Sequence, residues 1–309
     1  MSLRARLLNA WLRRFERPAM ERATEPEVLR HRFEHHARRY FRPPRGTQMQ
    51  WQVLEHAQRR IEALEVVPRD LTGETVLFYI HGGGFLFGSP NTHSALLGSL
   101  CARLGARAVL PRYRLAPEHP FPAAADDIRA AWEGLRASGV AANRILIGGD
   151  SAGGALALSL LGDLVADGVA LPAGCFCFSP LTDLTFSGDS FRSNARVEAI
   201  LPVGRELEMA EMYLAGHRAD DPRVSPHFAD FTGACPLWLA VGDREILRDD
   251  ARRLSARLGD ARVDVTLEEH PDLPHVWPIF HNYLPEAKRT LDQLADWIRR
   301  QQPRSPDES

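Results

Sequence analysis

Ile145-Leu146-Ile147-Gly148-Gly149-Asp150-Ser151-Ala152-Gly153-Gly154-Ala155-Leu156 is the stretch whose reading decides the fold. Its apolar start reads as a buried strand, and the Ala- and Leu-rich stretch from Ala152 to Asp167 reads as a helix. Between them, Gly149-Asp150-Ser151-Ala152-Gly153 matches G-x-S-x-G, a strand–turn–helix bend so tight that small residues are needed on both sides of the serine. A serine on such a turn projects from the C-terminal edge of a sheet, at a helix N-terminus that favours negative charge. Ser151 is therefore the expected nucleophile. Asp150 precedes it and is expected to hold neighbouring loops by hydrogen bonds, not to react.

Outward from this turn, short apolar runs alternate with helical stretches. Strands are expected at Gln50–Leu54, Ile61–Val67, Thr75–Ile80, Ala106–Pro111, Arg144–Gly148, Gly174–Phe178, Leu237–Val241 and Val263–Glu268. Helices are expected at Ser94–Leu104, Ala123–Ser138, Ala152–Asp167, Asp249–Leu258 and Glu286–Arg300. Alternation of this kind implies βαβ units and a mostly parallel sheet. No helix separates the first two strands, so the sheet should start antiparallel. Residues 1–48 read as a basic helical segment that precedes the sheet, and 49–309 as the catalytic domain. Between Asp183 and Phe231 the alternation lapses, which marks an insertion near 183–231 with one helix, roughly Gly204–Ala215. Pro303–Ser309 reads as a polar tail.

The 309 residues are 44% hydrophobic and 25% charged, which excludes a disordered chain, a collagen and a disulfide-rich miniprotein. No apolar run of about 18 residues is present, so no membrane-spanning helix is expected. Net charge is −2, which does not point to nucleic acid. The charge is nevertheless uneven, because residues 1–60 hold 14 Arg against 6 Glu. In that region Leu3, Leu7, Trp11 and Phe15 recur at four-residue spacing as one apolar stripe, expected to pack inward as part of a cap; the rival reading is a membrane-surface anchor, basic and amphipathic. Cys101, Cys175, Cys177 and Cys235 form no metal-binding or C-x-x-C pattern and are expected to be buried free thiols. No signal peptide is visible, because arginines interrupt the N-terminal apolar residues, and a cytoplasmic location is the expectation.

A second glycine-rich element, His81-Gly82-Gly83-Gly84-Phe85, follows the strand ending at Ile80. Three glycines cost backbone entropy unless the chain must approach another group closely. Amide N–H groups aimed at a developing oxyanion are such a need, and Gly83, Gly84 and Ala152 are the expected donors. His81 and Gly82 are expected to anchor that loop. The loop lacks the spacing of Walker or dinucleotide motifs. A nucleophilic serine also needs a base, and the base needs an orienting acid. Leu237–Val241 ends in Gly242-Asp243, which puts Asp243 where a strand opens onto the site. Glu245, Asp249 and Asp250 are its rivals. Among His270, His275 and His281, His275 is the expected base, in a loop fixed by Pro271 and Pro274 after the last strand.

These residues carry a family resemblance. Besides the two glycine motifs, the chain has Tyr113-Arg114-Leu115-Ala116-Pro117-Glu118-His119-Pro120-Phe121-Pro122-Ala123-Ala124 and Ser179-Pro180-Leu181-Thr182-Asp183-Leu184. In their order and spacing they resemble the hormone-sensitive-lipase-like (bacterial family IV) carboxylesterases, in the branch with Gly-Asp-Ser-Ala-Gly. The resemblance covers roughly residues 70–300. It implies an α/β-hydrolase fold: a mostly parallel eight-stranded sheet flanked by helices, with a helical cap formed by the N-terminal segment and the insertion. Phe15, Phe33, Phe41, Phe186, Met209, Met212 and Tyr213 are candidates for the pocket wall or the cap core.

By the same resemblance Ser151, Asp243 and His275 are the triad. The family acid usually stands in Asp-Pro-Leu-x-Asp-Glu-Gly, whereas this chain reads Asp243-Arg244-Glu245-Ile246-Leu247-Arg248-Asp249-Asp250, so its acid loop departs from the pattern. The histidine is followed by Val276-Trp277 in place of Gly-Phe, which alters the wall beside the base. The implied activity is hydrolysis of small, short-acyl or moderately bulky esters by water, through an acyl-enzyme. Lactone, amide or deacetylation chemistry with the same triad is the alternative, and a non-catalytic binding protein is a more distant one. No metal or organic cofactor is expected. Family members are often dimers, so a homodimer is the assembly the resemblance suggests.

Overall fold

The structure, a computed structural model, describes residues 1–302. The tail expected at Pro303–Ser309 lies outside the described residues. The chain opens with helix α1 (Leu3–Trp11), a π-helical turn (Leu12–Glu16), α2 (Arg17–Arg22) and α3 (Pro26–Tyr40). The sheet begins with β1 (Gln48–His56), β2 (Arg59–Val67) and β3 (Val76–Ile80). There follow α4 (Pro90–Leu104), β4 (Arg107–Pro111), α5 (Ala123–Ala137), β5 (Ile145–Asp150), α6 (Ala152–Ala166) and β6 (Gly174–Phe178). After two insertion helices, α7 (Ser190–Ser193) and α8 (Glu206–Leu214), come β7 (Leu237–Gly242), α9 (Arg248–Asp260), β8 (Val265–His270) and α10 (Pro285–Gln301).

One eight-stranded sheet runs in the order β1-β2-β4-β3-β5-β6-β7-β8. β1 pairs antiparallel with β2, and β2 antiparallel with β4; all later pairs are parallel. The central strands are unbroken apolar runs because helices cover both faces. On β3, Val76, Phe78 and Ile80 join the core under α5, α6 and α9, whereas Leu77 and Tyr79 join the core under α4 and α10. This two-residue alternation splits the interior into two layers. All four cysteines are buried and free. β8 ends at His270, two residues beyond the expected Glu268, so His270 belongs to the strand and not to the loop.

The N-terminal stripe faces the opposite way from the inward expectation. Leu3, Leu7, Trp11 and Phe15 are exposed, while Ala5, Asn9, Leu12 and Glu16 face the protein. Short side chains let the helix dock closely: Ser2 N–H donates to Glu286 Oε1 at 2.5 Å, and Asn9 Nδ2 donates to Asp272 O at 2.7 Å. Four-residue spacing shows that a helix has two faces, not which of them meets the core.

Candidate active site

The strand–turn–helix bend places Ser151 at the centre of the sheet's C-terminal edge. Ser151 has φ 52° and ψ −123°, a conformation that a non-glycine residue adopts only when its surroundings hold it there. Its N–H donates to Phe178 O at 3.0 Å, and its C=O accepts from Leu181 N–H at 3.1 Å. The bend tolerates no bulk: a Cβ at Gly149 would lie 2.3 Å from Gly153 O, and one at Gly153 would lie 2.1 Å from Ile80 O. Ala152 starts α6, so its N–H is one of the four that have no partner within the helix.

The glycine loop after β3 is fixed from beneath by Asp150. Its Oδ1 accepts from Tyr79 OH at 2.8 Å and from Gly82 N–H at 3.1 Å, and His93 Nε2 lies 3.3 Å from its Oδ2. Tyr113 OH donates to His81 O at 2.8 Å, and the two rings stack with centroids 4.3 Å apart. Burial, together with the neighbouring His93, pushes the His81 imidazole down to about 3, so this histidine is neutral at physiological pH and serves as an anchor. Gly83 has φ +122°, and a Cβ there would lie 2.1 Å from Phe87 O. Among the described residues, the N–H groups of Gly83 and Gly84 have no acceptor in the protein, and both residues line the cavity that Ser151 also lines. Tyr79 and His93 escaped the reading of the sequence, because nothing local ties either of them to Asp150.

The carboxylate that meets His275 is Glu245, not the expected Asp243. His275 Nδ1 lies 2.7 Å from Glu245 Oε2, and both side chains are buried. Asp243 is turned away: its N–H donates to His270 O at 2.9 Å, which extends the β7–β8 ladder, and its Oδ1 accepts from Asp272 N–H at 2.8 Å. That use of Asp243 fixes the turn leading to His275. The chain then doubles back, with Glu245 N–H donating to Gly242 O at 3.2 Å, and the longer Glu side chain returns beneath the strand end. Its Oε1 accepts from Gly242 N–H at 2.6 Å and from Ser179 Oγ at 2.8 Å. Ser179 Oγ in turn accepts from Val276 N–H at 3.1 Å, beside the histidine. Of the rivals, Asp250 supports the 182–183 turn and Asp249 accepts from Ser190 N–H. Among the described residues, His281 is buried without a hydrogen bond to either ring nitrogen, and His270 packs against Trp277.

Burial pushes the Glu245 carboxyl above its ordinary range, and the bond from His275 partly offsets this. For His275, burial acts to lower the pKa. The Glu245 bond and the negative charges of Glu245, Glu198 and Asp150 outweigh it, so the ring is held above its ordinary value. Glu198 is the least anticipated of these groups. It is buried in the insertion, and its Oε2 accepts from Ile246 N–H at 3.0 Å, next to Glu245. Asn194 Nδ2 donates to Asp243 O and Glu245 O at 3.0 and 2.8 Å.

A cavity of about 470 Å³ opens above Ser151 and His275. Its wall is overwhelmingly apolar and comes from the N-terminal segment and the insertion as well as from the sheet loops. Phe33, Phe41, Phe186 and Met209 line it, as anticipated, whereas Phe15 is exposed and Met212 and Tyr213 lie outside the wall. Tyr213 instead stacks on Phe85 with ring centroids 3.7 Å apart. Arg30 holds Glu118 at 2.7 Å and Arg114 holds Asp127 at 2.8 Å, so both charges of the Tyr113–Ala124 block fix loops.

The alpha/beta hydrolase fold family matches residues 77–279. An acetyl-hydrolase of Streptomyces hygroscopicus is 40% identical over 234 residues, 76% of this chain and 78% of that protein. An esterase of Acinetobacter venetianus is 35% identical over 234 residues, 75% of this chain and 77% of that protein. The crystal structure of an esterase from the bacterial hormone-sensitive lipase family superposes with a TM-score of 0.90 at 35% identity, covering 97% of this chain and 99% of that one.

Proposed function

We propose that this chain, which belongs to the hormone-sensitive-lipase-like (bacterial family IV) carboxylesterases of the α/β-hydrolase fold, hydrolyses small esters by two-step acyl transfer from Ser151 to water. The observation that carries the route is the buried Glu245–His275 pair, whose histidine lines the same cavity as a serine held at φ 52°. Glu245 occupies Nδ1 of His275, which leaves Nε2 as the proton acceptor. Ser151 Oγ bonds to the ester carbonyl carbon as its proton passes to Nε2. The carbonyl electrons move to oxygen, where the N–H groups of Gly83, Gly84 and Ala152 stabilise the charge. The tetrahedral species collapses, the C–O bond to the alcohol breaks, and His275 gives that alcohol its proton. Water then repeats the sequence on the acyl-enzyme, releasing the acid and restoring Ser151. Glu245 keeps the tautomer and stabilises the imidazolium throughout.

The N-terminal segment and the 183–231 insertion act as one cap in this scheme, since together they wall the cavity. An apolar space of this size suits a short acyl group with a moderately bulky alcohol, and an acetyl-hydrolase among the relatives is consistent with that range. The direct test is p-nitrophenyl butyrate hydrolysis by the full chain beside Ser151→Ala. The variant should lose roughly 10⁴-fold or more in kcat. Equal, background-level rates in the two proteins would overturn the esterase reading for this substrate class. A parallel panel of lactones and amides separates ester preference from the related chemistries.

A further inference from the structure

The amphipathic N-terminal helix is inside out. Leu3, Leu7, Trp11 and Phe15 are 70%, 62%, 40% and 54% exposed, while the protein-facing side offers Ala5, Asn9 and Leu12. On an α-helix a four-residue step drifts by about 40°, which would carry a long stripe around the axis. The π-helical turn at Leu12–Glu16 rotates less per residue and returns Phe15 to the stripe, with its ring 6.2 Å from Trp11. The turn thus preserves an exposed apolar face that the interior does not use.

That face continues to the cavity mouth. Trp11, Tyr40 and Tyr283 are each exposed and each line the cavity, and Tyr283 OH donates to Tyr40 O at 2.9 Å. Arg4 Nη1 donates to Tyr283 O at 3.3 Å, joining the stripe helix to this rim. Arg4, Arg6 and Arg14, interleaved with the stripe in sequence, are exposed, as is Arg22 at the end of α2. Residues 1–60 carry 14 Arg against 6 Glu although the whole chain is at −2, so the remainder is acidic and the positive charge is gathered on this side of the sequence.

We propose that the outward face of the N-terminal helix docks on an anionic lipid surface and presents the aromatic rim of the cavity to it. A basic helix with large apolar side chains on its free face is the form that settles at a headgroup boundary. Trp and Tyr favour the same depth. A second copy of the chain fits less well, because a two-fold interface sets the same patch against itself and would bring the arginines together. Docking goes beyond the hydrolase reading. Only the delivery of esters into the cavity rests on that reading, whereas vesicle binding is measured without turnover.

The experiment is flotation of the full chain with phosphatidylcholine–phosphatidylglycerol vesicles and with pure phosphatidylcholine vesicles. The chain should float with the anionic vesicles, and raised salt should weaken the association. Leu3→Ser/Leu7→Ser/Phe15→Ser, three positions that do not line the cavity, should lower binding at least about tenfold while p-nitrophenyl butyrate hydrolysis is unchanged. Arg6→Ser/Arg14→Ser should weaken binding to anionic vesicles without touching the apolar stripe, and it keeps the test decisive should the triple variant misfold. Three results would overturn the proposal: no flotation with either vesicle, equal flotation with both, or a dimer by light scattering that the triple variant converts to monomer. The last would assign the face to a second copy.

Discussion

Glu245 accepts on both oxygens, and the two sides do different work. Oε1 is held by Gly242 N–H and Ser179 Oγ, which fixes the carboxylate, while Oε2 is left to meet His275. Glu245→Gln keeps the size but offers His275 no anion and a competing donor, so kcat should fall about 10³- to 10⁴-fold with p-nitrophenyl butyrate. Asp243→Asn should stay within about threefold of the parent in kcat and cost on the order of 1 kcal/mol of stability, since its carboxylate only caps Asp272 N–H. The opposite pattern would return the acid to Asp243. The serine, the base and the glycine loop of the proposed mechanism were legible in the sequence, because each is announced by its neighbours in the chain. The acid was not settled there. Asp243 and Glu245 both follow β7, and the choice rests on where a doubled-back loop sends a longer side chain. The missing proline and glycine of the family's acid motif were the one visible sign that this loop is built differently.

At the scale of elements, α9 does more than cover the sheet. Asp250, in its first turn, accepts on Oδ2 from the N–H groups of Thr182 and Asp183 at 2.7 and 3.0 Å, while Oδ1 has no partner among the described residues. Asp183 beside it is held by Arg253 at 2.8 Å. Burial pushes the Asp250 carboxyl up to about 7, with the nearby Asp183 charge adding to it and the two amides opposing it. Between about pH 4 and pH 7 the native state therefore keeps a proton that the unfolded chain has released. Stability from this group falls as pH rises through that window, by an amount on the order of a few kcal/mol. Asp250→Asn retains an acceptor for the two amides and removes the titration. Its Tm relative to the parent should be higher at pH 8 than at pH 5, and parallel Tm–pH curves would refute the assignment. Strands and the longer helices were read to within a few residues because their apolar periods are local, whereas the four-residue α7 was missed. The outward face of α1 was not read either, because a period carries no information about the partner.

In the whole molecule the N-terminal segment, the insertion and the loop after β7 are tied in series. Arg13 Nη2 donates to Val197 O at 2.7 Å, and Arg17 Nη1 donates to Ala195 O and Glu198 O at 3.2 and 3.0 Å, tying the N-terminal segment to the insertion. The insertion in turn grips the loop after β7 through Ser190 Oγ to Ile246 O at 2.5 Å, through Asn194, and through Glu198. Nothing local in the sequence marks these contacts, since they join residues 48 to 184 positions apart. Glu198 carries the greatest consequence. Its Oε1 accepts from the N–H groups of Ala199 and Ile200 at 2.7 and 2.9 Å, and its charge is one of three anions facing His275, with Glu245 after β7 and Asp150 at the end of β5. In the proposed mechanism His275 acts as the neutral ring, so kcat/KM should rise with pH along a limb that lies above the ordinary histidine range. Glu198→Gln removes one anion at nearly constant shape. The imidazolium is then less stabilised and releases its proton at lower pH, so the limb moves toward acid. A loss of activity with the limb unmoved would make Glu198 a purely structural clamp. A displaced limb would show that the segment walling the cavity also sets the proton affinity of the base beneath it.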